Sequence, residues 1–229
     1  EVVFSVTNKC NMDCRYCGYG KFYEGPDKRE TGKKELDIRL ARKLLDYLSG
    51  LWNSPLNKSH EKVINIGFYG GEPLLNFSFI QMIVDYVKQL ELKHNGFKFS
   101  MTTNGTLIEK YMDFLYENNF DLSISLDGNE ANNAYRVFKN GKPAYHAILS
   151  NINALKKKYP DYYNNHVSFI SVLHNKNSVS EVYHYYKNFH RKKPAINGLN
   201  SAGIKASEKA EFWEMYHNVE QSAHESEDY

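Results

Sequence analysis

Long apolar runs are missing from this chain. No stretch approaches the roughly 18 residues needed to cross a bilayer, so no membrane partner is expected. No secretory leader is visible either. Charge of one sign is also lacking: Lys and Arg total 29 against 27 Asp and Glu, a formal net charge of +2, which removes the electrostatic case for nucleic acid. Two basic runs, Lys156–Lys158 and Arg191–Lys193, fall at the ends of expected helices, where the helix dipole and solvent account for them. Cysteine is scarce, with three in 229 residues and none after Cys17. An odd, clustered set excludes a secreted disulfide framework. Unpaired thiols point to a reducing compartment, so the cytoplasm is the expected location.

What is present starts with those thiols, arranged as Cys10-Asn-Met-Asp-Cys14-Arg-Tyr16-Cys17. Three thiolates at this spacing can close a loop around one metal centre, but cannot alone complete a four-ligand tetrahedral site. Zinc with a histidine as fourth ligand is one reading; the nearest of the nine histidines is His60. The other is an iron–sulfur cluster, which normally takes four cysteines and with three would leave one iron open to a non-protein ligand. The spacing alone leaves both open.

Apolar and β-branched runs alternate with amphipathic segments along the chain. Strands are predicted over 2–6, 63–69, 97–102, 122–126, 167–173 and near 195–204. Helices are predicted along Leu36, Leu40, Leu44, Leu48 and Leu51, and over 79–90, 107–118, 145–159, 179–189 and about 207–219. Such alternation predicts an α/β fold, a partial (β/α)6 TIM-like parallel barrel filling residues 1–229 as one domain. A full eight-unit barrel takes about 250 residues. The long 18–34 connection is expected to cover the cysteine loop or meet substrate.

Chemistry in parallel barrels gathers at the C-terminal ends of the strands, and each special signal falls there. The cysteines follow the first strand, Gly70-Gly71-Glu72-Pro73 the second, Thr103-Asn104-Gly105 the third, and Ser125-Leu126-Asp127-Gly128 closes the fourth. The glycine pair permits close approach by a ligand, whose amine Glu72 is placed to accept, and Pro73 fixes the entry to a helix. Ser123, Ser125 and Asp127 alternate as a polar stripe on one strand face, suited to a polar lumen; turn capping is the plainer reading of Asp127.

Cys10-x3-Cys14-x-Tyr16-Cys17 resembles the cluster loop of the radical S-adenosylmethionine superfamily, and the three later loops follow in that family's order. Tyr135-Arg136-Val137-Phe138-Lys139, with Gly141 and Tyr145, resembles the peptide- and sulfatase-maturing (SPASM-type) subgroup. The resemblance spans about residues 2–190. It implies a [4Fe–4S] cluster on Cys10, Cys14 and Cys17, with S-adenosylmethionine on the open iron. Reductive cleavage would then give a 5′-deoxyadenosyl radical that modifies a peptide or protein side chain. It implies that Gly70, Gly71 and Glu72 hold the ligand amine, that Tyr16 lies near the adenine, and that Ser125 meets the ribose or carboxylate. Pro73, Asn104 and Asp127 join this cofactor-binding set, and Arg136 is a carboxylate or peptide partner. A flavodoxin- or ferredoxin-type electron donor is implied too.

The subgroup carries a C-terminal, cysteine-rich extension with auxiliary clusters, and no cysteine follows Cys17 here. The chain therefore reads as a core domain cut from a longer enzyme, which its opening on Glu1 favours, or as a compact member. Two alternatives remain: a cyclase of the molybdenum-cofactor type, and a non-catalytic metal-binding interaction module.

Overall fold

Along the first strand buried Phe4 and Val6 alternate with exposed Val3 and Ser5, and a like alternation of burial down the chain builds one sheet. The computed structural model describes residues 1–24, 35–58, 62–92, 96–217, 219 and 222. The strands are β1 (Val2–Thr7), β2 (Ile64–Gly70), β3 (Phe97–Thr103), β4 (Phe120–Ser125), β5 (Val167–Val172) and β6 (Ala195–Asn197). They pair in chain order, every neighbour parallel, as one open six-stranded sheet. Between them run α1 (Ile38–Trp52), α2 (Phe77–Gln89), α3 (Ile108–Glu117), α4 (Tyr145–Lys158), α5 (Pro160–His166) and α6 (Val179–Tyr185); α7 (Lys209–Tyr216) follows β6. This is the partial TIM-like barrel expected. Part of the 18–34 connection, residues 25–34, lies outside the described residues.

The register gives the two faces opposite characters. Phe4, Phe68, Met101, Leu122 and Val167 share one row, and Ile66, Phe99 and Phe120 the next. All are buried and pack with helix residues such as Ile80, Ile83, Leu115, Ile148 and Ile152. Phe120 sits 5.3 Å from Phe99 and 5.8 Å from Phe68, ring to ring, so the core is an aromatic seam. The other face carries Ser5, Asn65, Ser100, Asp121, Ser123 and Ser168, none of them buried. Ser123 and Ser168 hydrogen bond across it at 3.0 Å.

Several elements differ from the sequence pattern. Leu40, Leu44, Leu48 and Leu51 of the predicted stripe lie on α1 and Leu36 precedes it, but Leu40, Leu44 and Leu51 are exposed; Ala41 and Leu45, about one residue round the helix, make the buried face. Pro160 does not simply stop a helix. It occupies the first turn of α5, where its missing N–H costs nothing. β6 ends at Asn197 because Ile204 bridges Tyr23 in the opposite direction instead.

Candidate active site

The site grows from the exit of β1. The Gly71 amide donates to the Thr7 carbonyl at 2.7 Å, and the Glu72 amide to the Lys9 carbonyl at 2.8 Å. A Cβ on Gly70, whose φ is +135°, would stand 2.3 Å from the Thr7 oxygen; one on Gly71 would stand 2.1 Å from the Lys9 oxygen. The close approach that the glycine pair permits is therefore made first by the protein's own backbone, clasping residues 7–9 just before Cys10.

Glu72 is wholly buried. Its carboxylate accepts from the Leu74 amide at 3.1 Å, the Thr103 hydroxyl at 2.9 Å and the Asn104 amide at 2.8 Å. It thus ties the end of β2 to the end of β3, with Pro73 buried at the head of the following turn. Burial pushes its pKa up to about 7 although all three hydrogen bonds favour the ionised form. The Asn104 amide group in turn donates to the Asn11 side-chain oxygen at 2.9 Å and lies 3.6 Å from the Cys10 sulfur. A backbone donor, the Met12 amide, faces the same sulfur at 3.4 Å.

A second brace holds the far side of the cysteine loop. The Asp13 amide donates to the Val137 carbonyl at 2.8 Å and the Arg15 amide to the Tyr135 carbonyl at 3.0 Å, so residues 135–138 run antiparallel beside the loop. Arg136 leaves that segment inward. It is buried, and its guanidinium grips both oxygens of the fully buried Asp127 at 3.0 Å each. Asp127 also accepts from the Val172 amide at 2.9 Å and from the Tyr16 hydroxyl. Burial alone would raise the Asp127 carboxyl; Arg136 and His174 outweigh it and hold the group below the usual carboxylate range.

His174, which the sequence pattern did not single out, completes this hub. Its Nδ1 accepts from the Lys176 amide at 3.1 Å, which leaves the proton on Nε2, 3.7 Å from Asp127. The His174 ring stacks on Tyr16 at 5.7 Å, and the Arg136 guanidinium lies 5.4 Å from the same ring. The Tyr16 ring is thus engaged by protein. Its position between Cys14 and Cys17 makes it the bolt that fastens the loop to the ends of β4 and β5. Arg136, far from an exposed flanking residue, is the other half of that bolt. Only a run ending in a strand-end aspartate hints at this from sequence; His174 gave no motif signal.

Ser125 stands apart from Asp127. It ends β4 half-buried on the polar face with Ser123, whereas Asp127 lies two residues beyond it with the partners just described. Asp127 thus leaves the polar stripe of β4, which runs through Asp121, Ser123 and Ser125. Beneath the loop, Phe22, Tyr23 and Tyr16 pack with Phe212 and Met215 of α7 in a small separate core. A cavity of about 390 Å³ opens beside Cys14, lined by Arg15, Lys21, Tyr135 and Lys176 among others.

None of the cysteines is in a disulfide. Burial, and the neighbouring Cys17 and Cys10, push the Cys14 thiol up to about 12 even though Arg136 pulls it down. A thiol that high is protonated and inert at neutral pH unless a metal supplies positive charge. Among the described residues no three His, Cys, Asp or Glu side chains converge on a single-ion site. A four-iron cluster, being wider than one ion, does not require that convergence. Three thiols in one braced loop, with N–H groups turned toward a buried sulfur, fit such a cluster in chemistry.

A family model described as the Radical SAM superfamily matches residues 4–187. An uncharacterized protein of Methanocaldococcus jannaschii is 36% identical over 157 residues, covering 68% of this chain and 48% of that protein. A cysteine-type anaerobic sulfatase-maturating enzyme of Clostridium novyi is 30% identical over 160 residues, covering 69% of this chain and 40% of the enzyme. Among solved structures, native anSMEcpe with bound AdoMet and Cp18Cys peptide aligns with a TM-score of 0.68 at 22% identity, over 86% of this chain and 50% of that one. The last likeness shows the fold. This chain spans half or less of the length of these relatives. With its parallel sheet and its braced three-cysteine loop, the chain belongs to the radical SAM superfamily, whose members use a [4Fe–4S] cluster and S-adenosylmethionine.

Proposed function

We propose that this chain is the radical-generating core of an enzyme that modifies a peptide or protein side chain. The observation that carries the reading is the convergence of three strand-end loops and residues 135–138 on one cysteine loop, beside a polar sheet face. The sulfatase-maturating relative and the peptide-bound neighbour favour a polypeptide substrate.

Cys10, Cys14 and Cys17 would hold the cluster. Such a cluster would supply the electron that splits S-adenosylmethionine into methionine and a 5′-deoxyadenosyl radical, the group that would take hydrogen from the substrate. The protein's work is to bind, orient and exclude. Glu72 is turned inward, so the ligand amine falls to backbone oxygens of the Gly70-Gly71-Glu72-Pro73 turn. Ser125, half-buried at the strand end, takes a ligand hydroxyl or carboxylate. Asn104 presents an N–H to the Cys10 sulfur and keeps it oriented. Asp127, Arg136, Tyr16 and His174 hold the loop's shape rather than touching the ligand. Electrons would come from a flavodoxin- or ferredoxin-type donor.

The test is anaerobic reconstitution with iron and sulfide, followed by S-adenosylmethionine and dithionite. Iron-loaded protein that forms 5′-deoxyadenosine is expected; stoichiometric zinc with no 5′-deoxyadenosine would overturn the reading.

A further inference from the structure

The basic runs that sequence alone explains as solvated helix ends behave differently in the fold. Lys158 is paired, its ammonium 2.6 Å from Asp113. Lys156 is not. Its ammonium lies 5.3 Å from the centroid of the Tyr163 ring, and that of Lys192 lies 5.0 Å from the same ring. Two cations thus crowd one aromatic ring. Among the described residues no ion pair reaches Lys156, Lys187, Arg191, Lys192 or Lys193. The repulsion is felt nearby: burial with Lys156 lowers the Lys192 ammonium, and burial with both lysines pushes His190 down to about 4.

The backbone is unusual at the same place. α6 does not end in an ordinary turn but continues as a π-helical turn over Tyr186–His190, and it closes with Arg191 in the left-handed region at φ 53°. Such turns and such non-glycine residues gather at functional positions. The π turn projects Phe189 outward, 67% exposed, between Lys187 and Arg191. Two cavities flank it. One of about 510 Å³ is lined by Tyr183, Lys187, Arg191 and Lys193 among others; the second includes Lys156, Asn164, Phe189 and Lys192.

Topology places all this away from the cysteines. The end of α4, the whole of α5 and the segment between α6 and β6 sit where strands begin, while the cysteine loop sits where they end. A patch on that side cannot touch the reacting atoms of a parallel barrel. Its chemistry suits attachment.

We propose that the Lys187–Lys193 surface, with Lys156, is a docking site for an acidic polypeptide segment carrying an apolar side chain. Carboxylates would relieve the crowding at Lys156 and Lys192, and the apolar group would cover Phe189. Charge complementarity selects a polypeptide over nucleic acid, because the chain's net charge is only +2. The radical chemistry is not involved, so the site and the proposed reaction fail separately.

The experiment is fluorescence anisotropy of a labelled peptide of Asp and Glu around one central Leu, titrated with the reconstituted chain at low and at moderate salt. Saturable, salt-sensitive binding is expected, weakened about tenfold by Lys187→Glu and again by Lys192→Gln. Phe189→Ser should weaken binding without changing the salt dependence. Circular dichroism checks that each exposed-site variant is folded; Lys187→Glu, fully outside the core, keeps the test valid if Lys192→Gln unfolds. No saturable binding, binding untouched by Lys187→Glu, or tighter binding of a single-stranded oligonucleotide overturns the proposal.

Discussion

Arg136→Met removes one half of the buried hub and leaves the other half intact. In the native protein the Asp127 carboxylate is wholly buried and takes two 3.0 Å bonds from Arg136, one from Val172 at 2.9 Å, and one from the Tyr16 hydroxyl. Replacing the guanidinium with a side chain of similar length keeps volume but strands a buried carboxylate. Breaking such a pair costs about 3–5 kcal/mol. For a chain of this size each kcal/mol moves Tm by about 2–4 °C, so a fall of about 6–20 °C is expected by circular dichroism. The double variant Arg136→Met, Asp127→Leu removes both charges but leaves the Val172 amide and the Tyr16 hydroxyl without their acceptor, so it stays destabilised, by less than the sum of the two single losses, with a coupling of about 2 kcal/mol or more. The reasoning is refuted if the single variant loses less than about 1 kcal/mol, the range of an exposed pair, or if the losses of the two single variants simply add in the double.

Two further outcomes follow from the same geometry. Gly71→Ala should lower the yield of folded protein rather than merely weaken ligand binding, since its Cβ would stand 2.1 Å from the Lys9 oxygen; normal thermal stability with weakened S-adenosylmethionine binding by calorimetry would show that a ligand, not the backbone, needs the space. His190 is buried, and its pKa falls from 6.5 to about 4 through burial and the two nearby lysines. The unfolded state then binds more protons in that window, so stability present above pH 6.5 is lost as pH falls toward 4, by about 2 kcal/mol after screening. Urea titrations across this range should show stability rising more steeply with pH in the native chain than in His190→Phe, the raised Glu72 contributing the opposite slope to both; equal slopes would remove the assignment.

The alternation of strands and helices was legible because each strand is a short apolar run and each helix keeps its period, and the strand-end motifs fall where the fold braces the cysteine loop. Pairing partners were not legible. The partner of Arg136 was not legible because nothing local says that residues 135–138 lie against residues 13–15; that contact spans more than a hundred residues of chain. The leucine period of α1 showed a helix but not its buried side, because periodicity shows that a face exists, while packing chooses between Leu44 and Leu45. Glycines were read as room for a ligand, yet the space at Gly70 and Gly71 belongs to Thr7 and Lys9. His174 is a lone histidine at a strand end, and only the fold sets it beside Asp127 and Tyr16.

The central claim is that Cys10, Cys14 and Cys17 together hold the cluster that cleaves S-adenosylmethionine. Its most direct test compares anaerobically reconstituted native chain with Cys14→Ala, counting iron and sulfide and measuring 5′-deoxyadenosine after reduction. The account expects a [4Fe–4S] cluster and 5′-deoxyadenosine from the native chain, and loss of both in Cys14→Ala. Undiminished 5′-deoxyadenosine from Cys14→Ala would contradict it.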